Sequence, residues 1–545
     1  MTAALLAYDR LAARVFDAEL APRPGAFNIG ALVDEWAAVT PQAPAVIFGE
    51  RGDQHLDYAT LSGASGRLAA ALAARGVGRG DRVAISLPQG PDCAISQAAT
   101  LKLGAMSMPL SRLYGQTALA TRIAAATPRV VICQARGAEQ MHAACEDAGV
   151  EATIVVSGDS RQHDDLHGLI AEAGSPLPAV ATDRDDPALL LFTSGTTGPP
   201  KGVVHAHRVV PGHAASLSLA HNLYPRAGSV LWSPADWSWA GGLVNCLFFA
   251  WQTGTAIGTY PDRPFDPELA VDLISASGAT ALFLPPTALR RLRATLREPV
   301  RRRTRIASIM SGSEALDADL CEWCVEFLGV PPNEVYGQTE ASAVVGNCTL
   351  LLPLRPGSIG QPYPGAEIAL LDDDGAPVGV GDEGEIAVGR GAASVFLEYW
   401  QDHAGTAAKF SGDWMRTGDL GAFDEDGYLW FRARRDDLIV SAGYRIGPSE
   451  IEACLCRDPA VMDAAVIGLP DPDRGHQVAA YIELREGALG DVDVLRARLT
   501  EAVSSELAPF QRPRVIEVVD RLPRTTTGKV RRAELRALVT ADPPG

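Results

Sequence analysis

The chain has 545 residues and a formal charge of −18; 47% of its residues are hydrophobic and 21% charged. That length corresponds to roughly two to four compact units, and the acidic balance excludes a nucleic-acid binder built on a broad basic face. No apolar run is long enough for a membrane-spanning helix. The nine cysteines lack zinc-site spacing, and residues 1–20 read as an amphipathic helix of mixed charge rather than a secretion signal, so a reducing cytoplasm is the expected compartment.

From residue 30 to about 180, helical stretches alternate with short apolar strands: a helix over 61–77, a strand at 82–88, a helix-to-strand passage over 93–110, then strands at 129–134 and 152–158. Such alternation predicts largely parallel sheets covered by helices, with ligands gathering at the strand C-terminal edges. The rhythm returns over 270–335, with strands at 280–286 and 306–312. The basic run Arg301, Arg302, Arg303 and Arg305 reads as a solvated helix face and loop. Between 355 and 435, turns rich in glycine, proline and aspartate separate short alternating runs and predict hairpins. The aspartates at 372–374 and 424–426 read as turn residues rather than calcium ligands. After Asp436 comes a smaller unit with a helix at 447–455, strands at 464–470 and 478–484, and a long helix around 491–507. Two domains are therefore expected, 1–436 and 437–545.

Lysine is scarce, four residues against 44 arginines, and two of the four close threonine- and glycine-rich segments. Lys201 ends TSGTTGPPK (193–201) and Lys529 ends PRTTTGK (523–529). A lysine kept against such a bias suits a compact, flexible point charge, and phosphate oxygens are its natural target. In LLLFTSGTTGPPKG (189–202) an apolar strand runs straight into small residues. There the backbone N–H groups and the hydroxyls of Thr193, Ser194, Thr196 and Thr197, interleaved with Gly195 and Gly198, can approach a phosphate unobstructed. Gly202 follows Lys201 where a Walker loop needs serine or threonine, so the kinase reading fails.

The 193–201 loop, YGQTE (336–340), RTGDLG (416–421), RRDDLIVSAGYRIGPSEIE (434–452) and PRTTTGK (523–529) stand in the order and spacing of the adenylate-forming superfamily. Within it the chain resembles acyl-CoA synthetases of the medium-chain type, from about residue 30 to 540. The resemblance implies an α/β fold: a large N-terminal domain of parallel-rich sheets sandwiched by helices with a small β-barrel-like subdomain, then a small mobile α+β C-terminal domain. It implies a two-step reaction using ATP, Mg2+ and coenzyme A. A carboxylate attacks the α-phosphate to give acyl-AMP and pyrophosphate, and the CoA thiol then takes the acyl group and releases AMP.

By position, the resemblance gives the 193–201 loop the β- and γ-phosphates, Glu340 the magnesium, and Thr339 a place beside the α-phosphate, with Gln338 in the same loop. Tyr336 stacks on adenine, with Gly312, Ser313 and Glu314 of GSEAL (312–316) along its other side. Asp419 accepts the ribose hydroxyls, for which two carboxylate oxygens are suited, and Arg434 contacts the ribose. Lys529 bridges the attacking carboxylate and the α-phosphate. Asp436 is the hinge about which the C-terminal domain rotates between half-reactions. Ala442, Gly443 and Tyr444 line the pantetheine tunnel, and Arg445 and Arg474 contact CoA. Ala433 stands where the family usually has glycine, which stiffens that loop while keeping Arg434.

Acetyl-CoA synthetases carry a tryptophan where this chain has Gly337, so the resemblance implies a longer, branched or cyclic acid. Trp237 and Trp239, in PADWSWAGGLVN (234–245), fit either an acyl gate or ordinary core tryptophans. A stand-alone adenylation enzyme that loads a carrier protein is the alternative reading. The expected partners are the acid, ATP and CoA, with no nucleic acid and no integral membrane segment, in a monomer or homodimer.

Overall fold

The computed structural model describes residues 26–541 except 159–161, 194–199, 227, 314–315, 443, 472–473, 486, 489–490 and 525–529, together with the side chains of 445, 540 and 541. The expected N-terminal helix over 1–20 lies outside the described residues. Two compact units emerge. One comprises the described parts of Met1–Thr193, Pro200–Ile368 and Val388–Met415; the other comprises those of Ala369–Ala387 and Arg416–Gly545.

The first unit holds two sheets. In one, Met106–Pro109, Arg82–Ser86, Val130–Gln134 and Thr153–Ser157 run parallel, as do Met106–Pro109 and Pro187–Thr193. Lys201–Ala206 turns back antiparallel to Pro187–Thr193, pairing Thr193 with Lys201. In the other sheet Pro332–Tyr336, Ser308–Gly312, Ala281–Phe283, Val230–Trp232, Ala256–Gly258 and Pro44–Phe48 are parallel. These strands are mostly apolar because both faces are covered, with Asn333 and Glu334 among the buried polar exceptions. One hydrophobic cluster takes in Ile85, Val130 and Leu189 from the first sheet, Val46, Leu231, Phe283 and Met310 from the second, and Leu61, Leu101 and Leu217 from helices.

Local chemistry starts these helices. Asp57 caps Tyr58–Ala74 by accepting from the Thr60 amide, and Asp266 caps Pro267–Ser277 by accepting from Glu268 and Leu269, which satisfies amides that have no partner inside the helix. The parallel order brings the ends of Pro187–Thr193, Ser308–Gly312 and Pro332–Tyr336, all motif-bearing, to strand C-terminal edges. Arg301, Arg302, Arg303 and Arg305 are exposed around the short turn Val300–Arg302.

In the second unit a curled half-barrel sheet is built from Ile368–Leu371, Glu383–Gly389, Trp414–Phe423 and Leu429–Arg434. Its aspartate turns close on themselves: Asp372 accepts from the Asp374 and Ala376 amides, and Asp424 from those of Asp426 and Tyr428. The C-terminal sheet centres on Gly475–Leu484, antiparallel to Val461–Asp471 and parallel to Val515–Val519. Alternate residues of Val461–Asp471 serve opposite faces. Ala464 and Val466 pack with Ile451, Leu455, Leu495 and Leu499, whereas Ala465 and Ile467 pack with Leu535 of the last helix. The parallel-rich α/β body, the half-barrel sheet and the small α+β sheet unit anticipated from the resemblance are all present. No helix among the described residues is long and apolar enough to cross a membrane.

Candidate active site

The loop YGQTE leaves strand Pro332–Tyr336 and turns at once: the Gln338 amide donates to the Ala341 carbonyl at 2.9 Å. A Cβ on Gly337 would lie 2.5 Å from the Ala343 nitrogen and 2.8 Å from the Ala341 oxygen. Backbone thus fills the space a side chain would need, a reason for glycine independent of the acyl-chain role that the resemblance implies. Ala343 takes φ of +51°, a conformation costly outside glycine and common at functional loops.

Buried polar groups support this loop from behind. His205 Nε2–H donates to the Thr339 carbonyl at 2.6 Å. Burial pushes His205 down to about 4, against the opposing pull of that carbonyl and of Glu340. The ring is neutral at pH 7, and the carbonyl fixes its tautomer. Asn245 Nδ2 donates to Ser342 Oγ at 3.1 Å. The Tyr399 phenol donates to Glu340 Oε1 at 2.6 Å, while the Glu340 carbonyl accepts from the Phe396 amide at 2.8 Å. The Lys201 ammonium lies 4.8 Å from the centroid of the same Tyr399 ring and 3.7 Å from Asp402. One phenol therefore touches both the carboxylate and the cation that the motifs single out.

Thr193 and Lys201 face each other across the hairpin, and Thr193 Oγ1 donates to the Lys201 carbonyl at 3.4 Å. Ser194, Gly195, Thr196, Thr197 and Gly198 between them lie outside the described residues, as do Glu314, Gly443 and Lys529. Gly312 ends its strand so close to the next that a Cβ would sit 2.6 Å from the Val335 carbonyl; Ser313 follows with φ of +90°. Just below Tyr336, buried Glu334 accepts from the Leu316 amide at 3.2 Å. Burial pushes this carboxyl up to about 8, so it is mostly protonated at neutral pH.

Within the second unit, Asp419 and Arg434 are register partners in adjacent antiparallel strands. Arg434 Nε stands 3.6 Å from Asp419 Oδ1, an ion pair too long for a hydrogen bond. Asp419 is 4% exposed, and the turn before it is pinned. Gly418 donates to Glu385 Oε1 at 2.9 Å, Arg416 Nε to Glu385 Oε2 at 2.9 Å, and the Thr417 hydroxyl to the Ile386 carbonyl at 2.6 Å. Asp436 lies in the turn Arg435–Asp437. Ala442, at φ of +49°, donates its amide to the Arg474 carbonyl at 2.8 Å. Tyr444 is half exposed and stacks on Phe510 with centroids 4.4 Å apart. Arg445 pairs with Val440 through the backbone.

Trp237 is 1% exposed and belongs to the core. Trp239 retains surface and packs on Phe283, centroids 5.7 Å apart. Of the two, Trp239 is the one that can touch a ligand. The loop carrying both is held by Arg112, whose Nη2 donates to Asp236 at 3.0 Å.

Tyr399, His205, Glu334 and Glu385 are absent from the motif reading, and Asn245 enters it only as the last residue of 234–245, because the partners of His205, Asn245 and Tyr399 lie 59 to 134 positions away in sequence. A charged residue in the apolar run around 332–336 was the one available signal, for Glu334.

Two family models match the chain: "AMP-binding enzyme" over residues 33–400 and "AMP-binding enzyme C-terminal domain" over 450–529. Mouse "Acyl-coenzyme A synthetase ACSM3, mitochondrial" is 32% identical over 466 residues, covering 84% of this chain and 80% of the relative. The crystal structure of the anthranilate CoA ligase AuaEII with anthranoyl-AMP superposes with a TM-score of 0.86 at 26% identity, covering 96% of this chain and 99% of the other. ATP-bound MatB from Rhodopseudomonas palustris gives 0.84 at 28%, covering 94% and 99%. The chain belongs to the AMP-binding enzyme family, the adenylate-forming superfamily. Its class within it is that of the AMP-forming acyl-CoA ligases, which activate an acid with ATP and pass it to CoA.

Proposed function

We infer that this ligase activates a medium-chain, branched or cyclic acid, aromatic rings included, rather than acetate, and that the motif residues carry the roles their positions imply. The observation that carries the reading is the Glu340–Tyr399–Lys201 contact: a carboxylate for a metal and an ammonium for phosphate, anchored by one phenol. The donor chemistry suits magnesium. Among the described residues no group of three or more histidine, cysteine or carboxylate side chains converges, and Mg2+ is commonly held by one or two carboxylates plus substrate phosphates. Glu340 would supply that carboxylate; when bound, the ion offsets charge on the phosphates.

Lys201 and the 193–201 loop hold the outer phosphates, Asp419 and Arg434 the ribose, and Tyr336 the adenine. Lys529 stabilises charge developing at the α-phosphate, where a fixed cation contributes most. Thioester formation needs that lysine withdrawn, so the residues after Asp436 turn as a body, with Ala442, Gly443, Tyr444, Arg445 and Arg474 toward CoA. Trp239 and Gly337 border the acyl chain. All nine cysteines are free, which supports a reducing cytoplasm.

The test is incubation with ATP, Mg2+ and a panel of straight, branched and aromatic acids, following AMP release with and without CoA. CoA-dependent release with several longer or aromatic acids, and little with acetate, is the expected result. Acetate as the best substrate overturns the acid assignment. Acid-dependent pyrophosphate release that CoA never completes, and a carrier protein does, overturns the acceptor.

A further inference from the structure

Asp437 immediately follows the pivot assigned to Asp436, and its carboxylate is only 12% exposed. Two arginines of the last helix, Arg532–Ala541, grip it: Arg536 Nη2 donates to Oδ1 at 2.9 Å and Arg532 Nη1 to Oδ2 at 3.3 Å. Spaced four residues apart, they share one helix face. Arg532 also binds Glu452 through Nη2 at 2.7 Å and Nε at 3.2 Å. Glu452 in turn accepts from the Val466 amide at 2.8 Å. Through two carboxylates and two guanidinium groups, Asp437 is thereby tied to the last helix, to helix Pro448–Leu455 and to strand Val461–Asp471.

The same helix begins three residues after Lys529. Upstream of that lysine, Arg524 pairs with Asp463 at 2.6 Å and Glu483 at 3.1 Å; Arg524 bridges to Val530, and the Arg531 amide donates to the Pro523 carbonyl at 2.7 Å. Both flanks of 525–529 are thus anchored to the sheet that Asp437 is tied to. Arg432, before the pivot, meets Glu450 at 3.4 Å between two exposed side chains, a contact easily exchanged for water. The Asp437 cluster is thus largely buried and doubly paired, whereas Arg432–Glu450, a pair that spans the pivot, is exposed.

We propose that Asp437 is a positioning residue for adenylation: clamped by Arg532 and Arg536, it makes the turning body start directly after the pivot, so that rotation at Asp436 reaches the Lys529 segment without slack. The proposal rests on the ligase reading above. It requires that loosening the clamp harm the step that needs Lys529 and spare the step that does not.

The experiment measures acid-dependent ATP–pyrophosphate exchange and, separately, thioester formation from supplied acyl-AMP and CoA. Asp437→Asn and Arg536→Gln should each lower exchange at least about tenfold, since small misplacements of a reacting group carry penalties of that order, with thioester formation near the wild-type rate. The double variant should be no worse than the more impaired single one, because both remove the same link. Equal loss in both half-reactions, or unchanged exchange, overturns the proposal. Should Asp437→Asn not fold, Arg536→Gln, at the more exposed side of the cluster, carries the test. Wild-type protein that exchanges pyrophosphate with no acid would instead remove the ligase reading. In that event amide hydrogen exchange decides: Arg536→Gln should accelerate exchange at 437–441 and 530–541 together, and unchanged exchange at 437–441 overturns the clamp.

Discussion

The loops around YGQTE and the C-terminal sheet unit are stabilised by contrasting means. Behind YGQTE stand neutral buried groups, His205 and Asn245, and a glycine whose missing side chain lets backbone close on backbone. In the C-terminal unit, arginine–carboxylate pairs join the elements: Arg532 with Glu452 and Asp437, Arg524 with Asp463 and Glu483. Neutral, close-packed supports hold dipoles still and keep a reaction centre preorganised. Ion pairs of long side chains add to the apolar clusters on both faces of Val461–Asp471 and tie separate helices into a body that can turn as one. The difference suggests a division of labour between a fixed site and a moving one.

The largest effect expected is at the pivot. Asp436→Pro should abolish thioester formation while leaving ATP–pyrophosphate exchange largely intact; a normal overall rate would break the fixed-versus-moving contrast outright. Next, Lys529→Ala should cut adenylate formation at least about 10²-fold, the usual worth of one well-placed electrostatic donor, and spare thioester formation from supplied acyl-AMP.

A smaller loss is expected on the fixed side. Tyr399→Phe removes a hydrogen bond to a charged group, worth about 1.5–3 kcal/mol. It should raise the Mg2+ concentration for half-maximal exchange, with kcat recovering at saturating Mg2+. An unchanged Mg2+ dependence would detach Glu340 from the metal.

The smallest effect is one of stability against pH. Glu334 titrates near 8 in the fold and ordinarily near 4.5, so between those values the folded state holds a proton that the unfolded state has released. Its contribution therefore falls as pH rises through that window. Glu334→Gln keeps an acceptor for the Leu316 amide and should gain melting temperature over wild type at pH 8 but little at pH 5. Buried His207, at about 4, and His221, at about 3, act in the opposite sense. Their ordinary value is 6.5, so the unfolded state binds the extra protons and stability drops as pH falls below about 6.5. A melting temperature that does not decline from pH 6.5 to pH 4.5 would contradict their neutral burial.

Much of this was legible beforehand. The apolar runs at 82–88, 129–134, 280–286 and 306–312 became parallel strands, because continuous hydrophobicity bounded by helices has few other uses. Asp419 and Arg434, 15 residues apart, could be paired only through a motif; the hairpin register that makes them neighbours depends on both strands. Trp237 and Trp239 could not be told apart, since two positions along the chain separate a core ring from one with surface.

By itself the sequence determined the class of chemistry and the residues that could perform it, since strand-ending glycine and threonine loops and rare lysines are local statements about backbone freedom and charge. Only the tertiary structure decided what holds those residues in place. Tyr399 reaches Glu340 across 59 positions, His205 reaches Thr339 across 134, and Asp437 meets Arg536 across 99. Contacts of that range follow from the packing of whole sheets and helices, which no short window of residues encodes.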